Sequence, residues 1–175
     1  MPESWLEEVE LVREARERFL KYSPESPIPK EDRKKFVGLK YYPADPGFKV
    51  RAILKRTPGK EEVYLETSAR NRQRVTLTGE LQFVLSSRKF VLLSFQGKGS
   101  SVFVPFKDLT NGSETYKLGR YLEVEAPEGV ENVTIDFNLA YNPDCAYNSS
   151  IESLLPPSEN TLSIPIRAGE MNYVR

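Results

Sequence analysis

The chain has 175 residues and balances 25 basic against 25 acidic side chains, so it lacks the basic footprint of a nucleic-acid-binding domain. Hydrophobic residues make up 39% and aromatics 11%, enough for a single globular domain with a sizeable core. One cysteine and no histidine exclude an internal disulfide, a Cys/His zinc site and histidine-dependent acid–base or nucleophilic chemistry. Catalysis, if present, would rest on carboxylates, Tyr, Lys, Arg or a hard metal.

The N-terminal Met1-Pro-Glu-Ser4 has neither the basic nor the apolar stretch of a signal peptide. No apolar run approaches the roughly 20 residues that span a bilayer. The expectation is a cytoplasmic protein without membrane association. Ser4-Trp-Leu-Glu7 has the spacing of a capping box. Trp5, Val9, Val12 and Phe19, widened by Leu6 and Leu20, form an apolar stripe that predicts an amphipathic helix from about Trp5 to Tyr22. Such a stripe needs a core to dock on. A proline-rich connector, Ser23–Pro29, follows, and Lys30–Lys35 fits one helical turn.

From Phe48 the hydrophobic period becomes two. Phe48, Val50, Ala52 and Leu54 alternate with Lys49, Arg51, Ile53 and Lys55, and Thr57-Pro-Gly-Lys60 has the composition of a type II turn. Further strands are expected around Val63–Leu65, Val75–Leu77 and Leu81–Leu85. Phe90–Phe95 is apolar enough for a strand covered on both faces. Val102–Phe106, Arg120–Glu125, Val133–Phe137 and Leu162–Ile166 complete the set. Arg70, Arg72 and Arg74 read as a solvated edge. The expected architecture is mainly β: an antiparallel barrel or sandwich with an N-terminal amphipathic helix. It forms one domain over residues 1–175, with a helical arm and connector (1–36) packed on a β-domain (48–175).

The last third carries a polar-aromatic block unlike an ordinary solvent loop, and a charge of opposite sign. Residues 1–100 hold 20 basic and 14 acidic residues, residues 101–175 only 5 basic and 11 acidic. The block includes Phe-x-Pro-Phe-x-Asp-x-Thr-x-Gly-x-x-Thr-Tyr-x-x-Gly-Arg-Tyr-Leu (Phe103 to Leu122) and Asp-Phe-Asn-x-Ala-Tyr-Asn-Pro-x-Cys-Ala-Tyr-Asn (Asp136 to Asn148). Pro-Pro-x-Glu-Asn (Pro156 to Asn160) and Ala-Gly-Glu (Ala168 to Glu170) follow.

On these elements the chain resembles domain of unknown function 1684, a bacterial and archaeal family. The resemblance brings no activity with it. It also implies a second Cys followed by Pro where Ser153 and Leu154 stand, and an aromatic at Asp144, so no family role based on a cysteine pair transfers. Cys145 reads as a small buried hydrophobe.

The block supplies the candidate site. Asp108, Glu114, Asp136 and Glu159 are candidate acid–base carboxylates, since two carboxyl groups in different environments can divide those roles. Tyr116, Arg120, Asn138, Tyr141 and Asn142 are candidate ligand-binding residues, with Arg120 as an anchor for a carboxylate or phosphate. Arg120 is expected to touch Asp108, Glu114, Asp136 or Glu170. No metal ligand is assigned, no cofactor is identified, and a small-molecule ligand is the expected partner. Three functions stay open: a binding or hydrolytic pocket over residues 103–170, a non-catalytic interaction module whose polar block is an internal scaffold, and a hard-metal-assisted hydrolase.

Overall fold

The computed structural model describes residues 4–174. The N-terminal helix α1 spans Trp5–Tyr22 and starts as its sequence requires: Ser4 is extended and its hydroxyl accepts from the Glu7 amide at 3.3 Å. Six strands follow, β1 (Lys49–Glu66), β2 (Arg72–Leu85), β3 (Arg88–Gln96), β4 (Ser101–Phe106), β5 (Arg120–Glu125) and β6 (Asn132–Asp136). They form one antiparallel sheet in the order β5-β4-β3-β2-β1-β6. The end strands β5 and β6 come together, so the sheet curls into a nearly closed barrel.

Alternation decides what fills it. Leu54, Leu81, Leu92, Val104, Leu122 and Ile135 point inward and are buried, with Phe106 and Phe137 among them. Their outward neighbours on the same strands, such as Lys55, Gln82, Val91 and Glu123, are partly or fully exposed. A second, smaller cluster of Leu20, Ile28, Phe36 and Tyr147 lies where α1 and the connector meet the C-terminal segments.

Several strand expectations change. The Thr57–Lys60 turn does not separate two strands. It bulges out of a single 18-residue β1, and the register with β2 shifts between Arg56 and Glu61. Gly79 lies opposite that bulge, where a Cβ would come within 2.2 Å of the Lys55 carbonyl, so any side chain would push the strands apart. β3 is covered on both faces only toward its C-terminal end, where Ser94 and Phe95 are both buried, while Val91 is exposed. Leu162–Ile166 is not a strand: Leu162 and Ile166 are buried as core plugs, and only Thr161 makes a bridge, to Lys107. Arg70 sits in the β1–β2 turn at φ 60, while Arg74 pairs with Glu62 at 3.3 Å.

Candidate functional site

The polar block does not converge on one pocket. Arg120 and Asp108 are fully buried and paired at 3.0 Å. The Arg120 guanidinium also donates to the carbonyls of Ala168, Glu170 (3.2 Å) and Ile166 (2.8 Å). Asp108 completes the knot by accepting from the Thr110 amide, the Thr110 hydroxyl and the Ile166 amide at 2.8, 2.6 and 3.1 Å. Burial lowers the Arg120 pKa and the Asp108 carboxylate opposes that shift. The pair clamps the C-terminal segment onto the barrel end and has no path to a ligand.

The other candidates are scattered. Glu114 is near the surface and pairs with the exposed Arg167 at 3.1 Å. Glu159 is exposed, its carboxylate bonded at 3.3 Å by its neighbour Ser158. Tyr116 meets the Cys145 sulfur at 3.4 Å. Asn142 donates to the Met171 carbonyl at 3.1 Å. Asp136 accepts from the Trp5 indole at 2.7 Å and from Asn138, so it ties α1 to the end of β6 and does not meet Arg120. Asn138 is buried and bonds both backbone groups of Asp45, at 2.9 and 2.8 Å. These partners satisfy backbone and pin segments together, and the expected single pocket over 103–170 is therefore corrected.

A cavity of about 400 Å³ does exist, between α1 and the barrel. Only Asn138 and Tyr141 of the sequence-derived set line it. Its remaining polar wall comes from Arg13, Arg16, Tyr41, Glu123 and Glu170, and Val12, Phe19 and Leu139 supply apolar surface. Val12 and Phe19 belong to the helical stripe, yet they are 48% and 38% exposed; Val9 and Leu20 carry the dry contact.

Local structure explains the placement. Residues 40–42 pair with 169–171: the Tyr42 amide bonds the Gly169 carbonyl at 3.0 Å and the Met171 amide bonds the Lys40 carbonyl at 2.8 Å. Gly169 presses so close to Ala140 that a Cβ there would lie 2.7 Å from the Ala140 carbonyl oxygen, at φ +80. That approach carries Glu170 under the cavity floor. Glu170 is 1% exposed and accepts from Arg16 at 2.7 Å, from the Asn142 amide at 2.9 Å and from the Tyr147 hydroxyl at 2.5 Å.

The two arginines differ. Burial alone would lower the Arg16 pKa, but the Glu170 carboxylate and Tyr147 outweigh it and the net direction is up. Arg16 also lies 4.8 Å from the Tyr141 ring centroid. Arg13 has no ion pair among the described residues. It stacks 4.5 Å over the Tyr41 ring and donates once, to the Asn138 carbonyl at 3.3 Å. Its Nε and the Tyr41 hydroxyl are shielded and without partners among the described residues. Burial lowers the Arg13 pKa, partly offset by Tyr41 and Asp136, and burial raises that of Tyr41.

Neither arginine is among the sequence-derived candidates; the signal that marks them is spacing within the helical stripe, Arg13 four residues after Val9, and Arg16 four after Val12 and four before Leu20. Among the described residues no group of three or more His, Cys, Asp or Glu could hold a metal ion. No helix there is long and apolar enough to cross a membrane.

No curated protein matches the chain. The solution structure of an uncharacterized protein of Haloarcula marismortui is similar at 36% identity and a TM-score of 0.76, covering 95% of this chain and 94% of that one. A family model described as a protein of unknown function, DUF1684, matches residues 34–171, and the chain belongs to that family.

Proposed function

We propose that the protein binds a small organic anion in the cavity between α1 and the barrel. The observation that carries this reading is Arg13, a cavity-lining guanidinium with no carboxylate partner among the described residues. A carboxylate or phosphate beside it would gain a charge-assisted hydrogen bond. Val12, Phe19 and Leu139 would receive the apolar body of the ligand. The volume of about 400 Å³ suits a small molecule.

Binding is favoured over hydrolysis by how the carboxylates are used. Of the two that line the cavity, Glu170 is committed to Arg16, Asn142 and Tyr147, and Glu123 stands alone as a possible acid or base. The test is a thermal-shift screen of small carboxylates and phosphates on the wild type and on Arg13→Met. A ligand at 100 times its dissociation constant adds about 2.7 kcal/mol of stability. A stabilising anion whose effect disappears in Arg13→Met supports the reading. Stabilisation that survives the substitution places the anion elsewhere and refutes it.

A further inference from the structure

A second hollow, of about 560 Å³, lies on the outer face of β4 and β5. Phe19, Glu123 and Tyr141 line both hollows, so the two share a rim. Alternation places Phe103, Tyr121 and Glu123 on the outside of the barrel, while Val102, Val104, Leu122 and Val124 fill its inside. The rings form a stepped aromatic wall: Phe103 meets Tyr121 edge-on at 4.7 Å, and Tyr121 meets Tyr141 edge-on at 5.8 Å. The Tyr121 hydroxyl is already committed, donating to the Leu154 carbonyl at 2.5 Å. What it offers the hollow is a ring.

The neighbouring cavity balances Arg13 and Arg16 against Glu123 and Glu170, whereas this hollow is net acidic. Glu123, Asp144 and Glu152 line it against a single basic residue, Lys98. None of the three carboxylates is in an ion pair among the described residues. Across the rim, Arg16 already lies over the Tyr141 ring, so that ring tolerates a cation on its face. Phe103 and Tyr121 carry no such cation among the described residues. Aromatic faces beside carboxylates are the chemistry that recognises an ammonium.

We infer that the two hollows form one site for an elongated dipolar ligand, its carboxylate at Arg13 and its ammonium group against Glu123, Asp144 and the Phe103–Tyr121 wall. This rests on the anion site proposed above and adds the class of molecule that would fill it. Glu123, on the rim, is the residue that links the two halves.

The test measures binding of β-alanine, γ-aminobutyrate, ε-aminocaproate and ω-aminocaprylate by calorimetry, beside caproate, caprylate and hexylammonium. At least one amino acid of the series should bind about tenfold more tightly than the alkanoate of equal length and than the amine. Asp144→Asn combined with Glu152→Gln, both confined to the second hollow, should reduce that advantage and leave alkanoate binding in place. If alkanoates bind as tightly as the amino acids, or if the double variant keeps the advantage, the dipolar ligand is refuted while the anion site stands. If Arg13→Met leaves alkanoate binding unchanged, or no probe binds, both readings fall.

Discussion

Arg120 and Arg13 show two uses of a guanidinium within one molecule. Arg120 is sealed, paired with Asp108 and bonded to three carbonyls of the C-terminal segment. Arg13 lies on a cavity wall with one carbonyl partner. The first arrangement leaves little to offer a ligand, because its hydrogen-bonding capacity is almost spent on the fold. The second has capacity left. A dense polar motif in sequence therefore marks the scaffold here, and the open chemistry lies beside it, on the helix.

Several experiments can break or sharpen that contrast. The broadest effect belongs to alkaline pH. Burial raises the pKa of six of the nine tyrosines, Tyr41, Tyr42, Tyr116, Tyr121, Tyr141 and Tyr147. In the unfolded chain they ionise near pH 10, as ordinary phenols do. Their contribution to stability is thus intact below about pH 10 and is lost as pH rises toward their folded values. Phenolate absorbance should rise in two stages, the larger one coinciding with loss of circular dichroism. A single early stage with the fold intact would contradict the burial of these rings.

Arg120→Ala leaves Asp108 charged and buried without its partner, and breaking such a pair costs about 3–5 kcal/mol. Denaturant unfolding should show it. A loss below about 1 kcal/mol would mean that the clamp is not structural. Glu170→Gln removes the carboxylate under Arg16 and should cost about 1.5–3 kcal/mol, the range for hydrogen bonds to charged groups. Arg13→Met should change stability by no more than about 1 kcal/mol while abolishing anion binding, which is the sharpest form of the contrast. Glu114→Ala breaks the exposed pair with Arg167 and a contact with Tyr42 and should change the melting curve least; a clear loss would promote Glu114 from surface to scaffold.

The barrel and its helix were legible because their signals are local. The Ser4–Glu7 cap, the alternation of β4 and β5 and the bounds of β5 follow from nearest neighbours along the chain. The β1 bulge was misread as a turn because Pro58-Gly59 has turn chemistry wherever it occurs, and only pairing across to Gly79 decides the outcome. Leu162–Ile166 alternates like a strand, but its pairing is confined to residues 107–109 just beyond β4, through the Leu162 amide to the Lys107 carbonyl and the Leu109 amide to the Ile164 carbonyl.

The site was harder to read for the same reason. Asp108 and Arg120 look like a reactive pair until burial is known. Arg13 and Tyr41 are far apart in sequence, and the pairing of residues 40–42 with 169–171 places Tyr41 against the helix. Of the motif residues named as candidates, Asn138 and Tyr141 also lie on the cavity wall.

The way α1 is held has a kinetic consequence. Only Val9 and Leu20 are buried along its 18 residues. The remainder of its grip is polar: Trp5 to Asp136, Arg13 to Asn138, Arg16 to Glu170 and the Glu17 carboxylate to the Leu39 amide at 2.8 Å. An element attached by so little apolar area belongs to the low end of the local-stability range and can detach while the barrel stays folded. Since α1 forms one wall of the cavity, detachment would dismantle the site. Ligand would bind only the docked fraction, so its apparent affinity is diluted by that fraction. Bound ligand should in turn slow amide exchange along α1 while leaving the barrel strands unaffected.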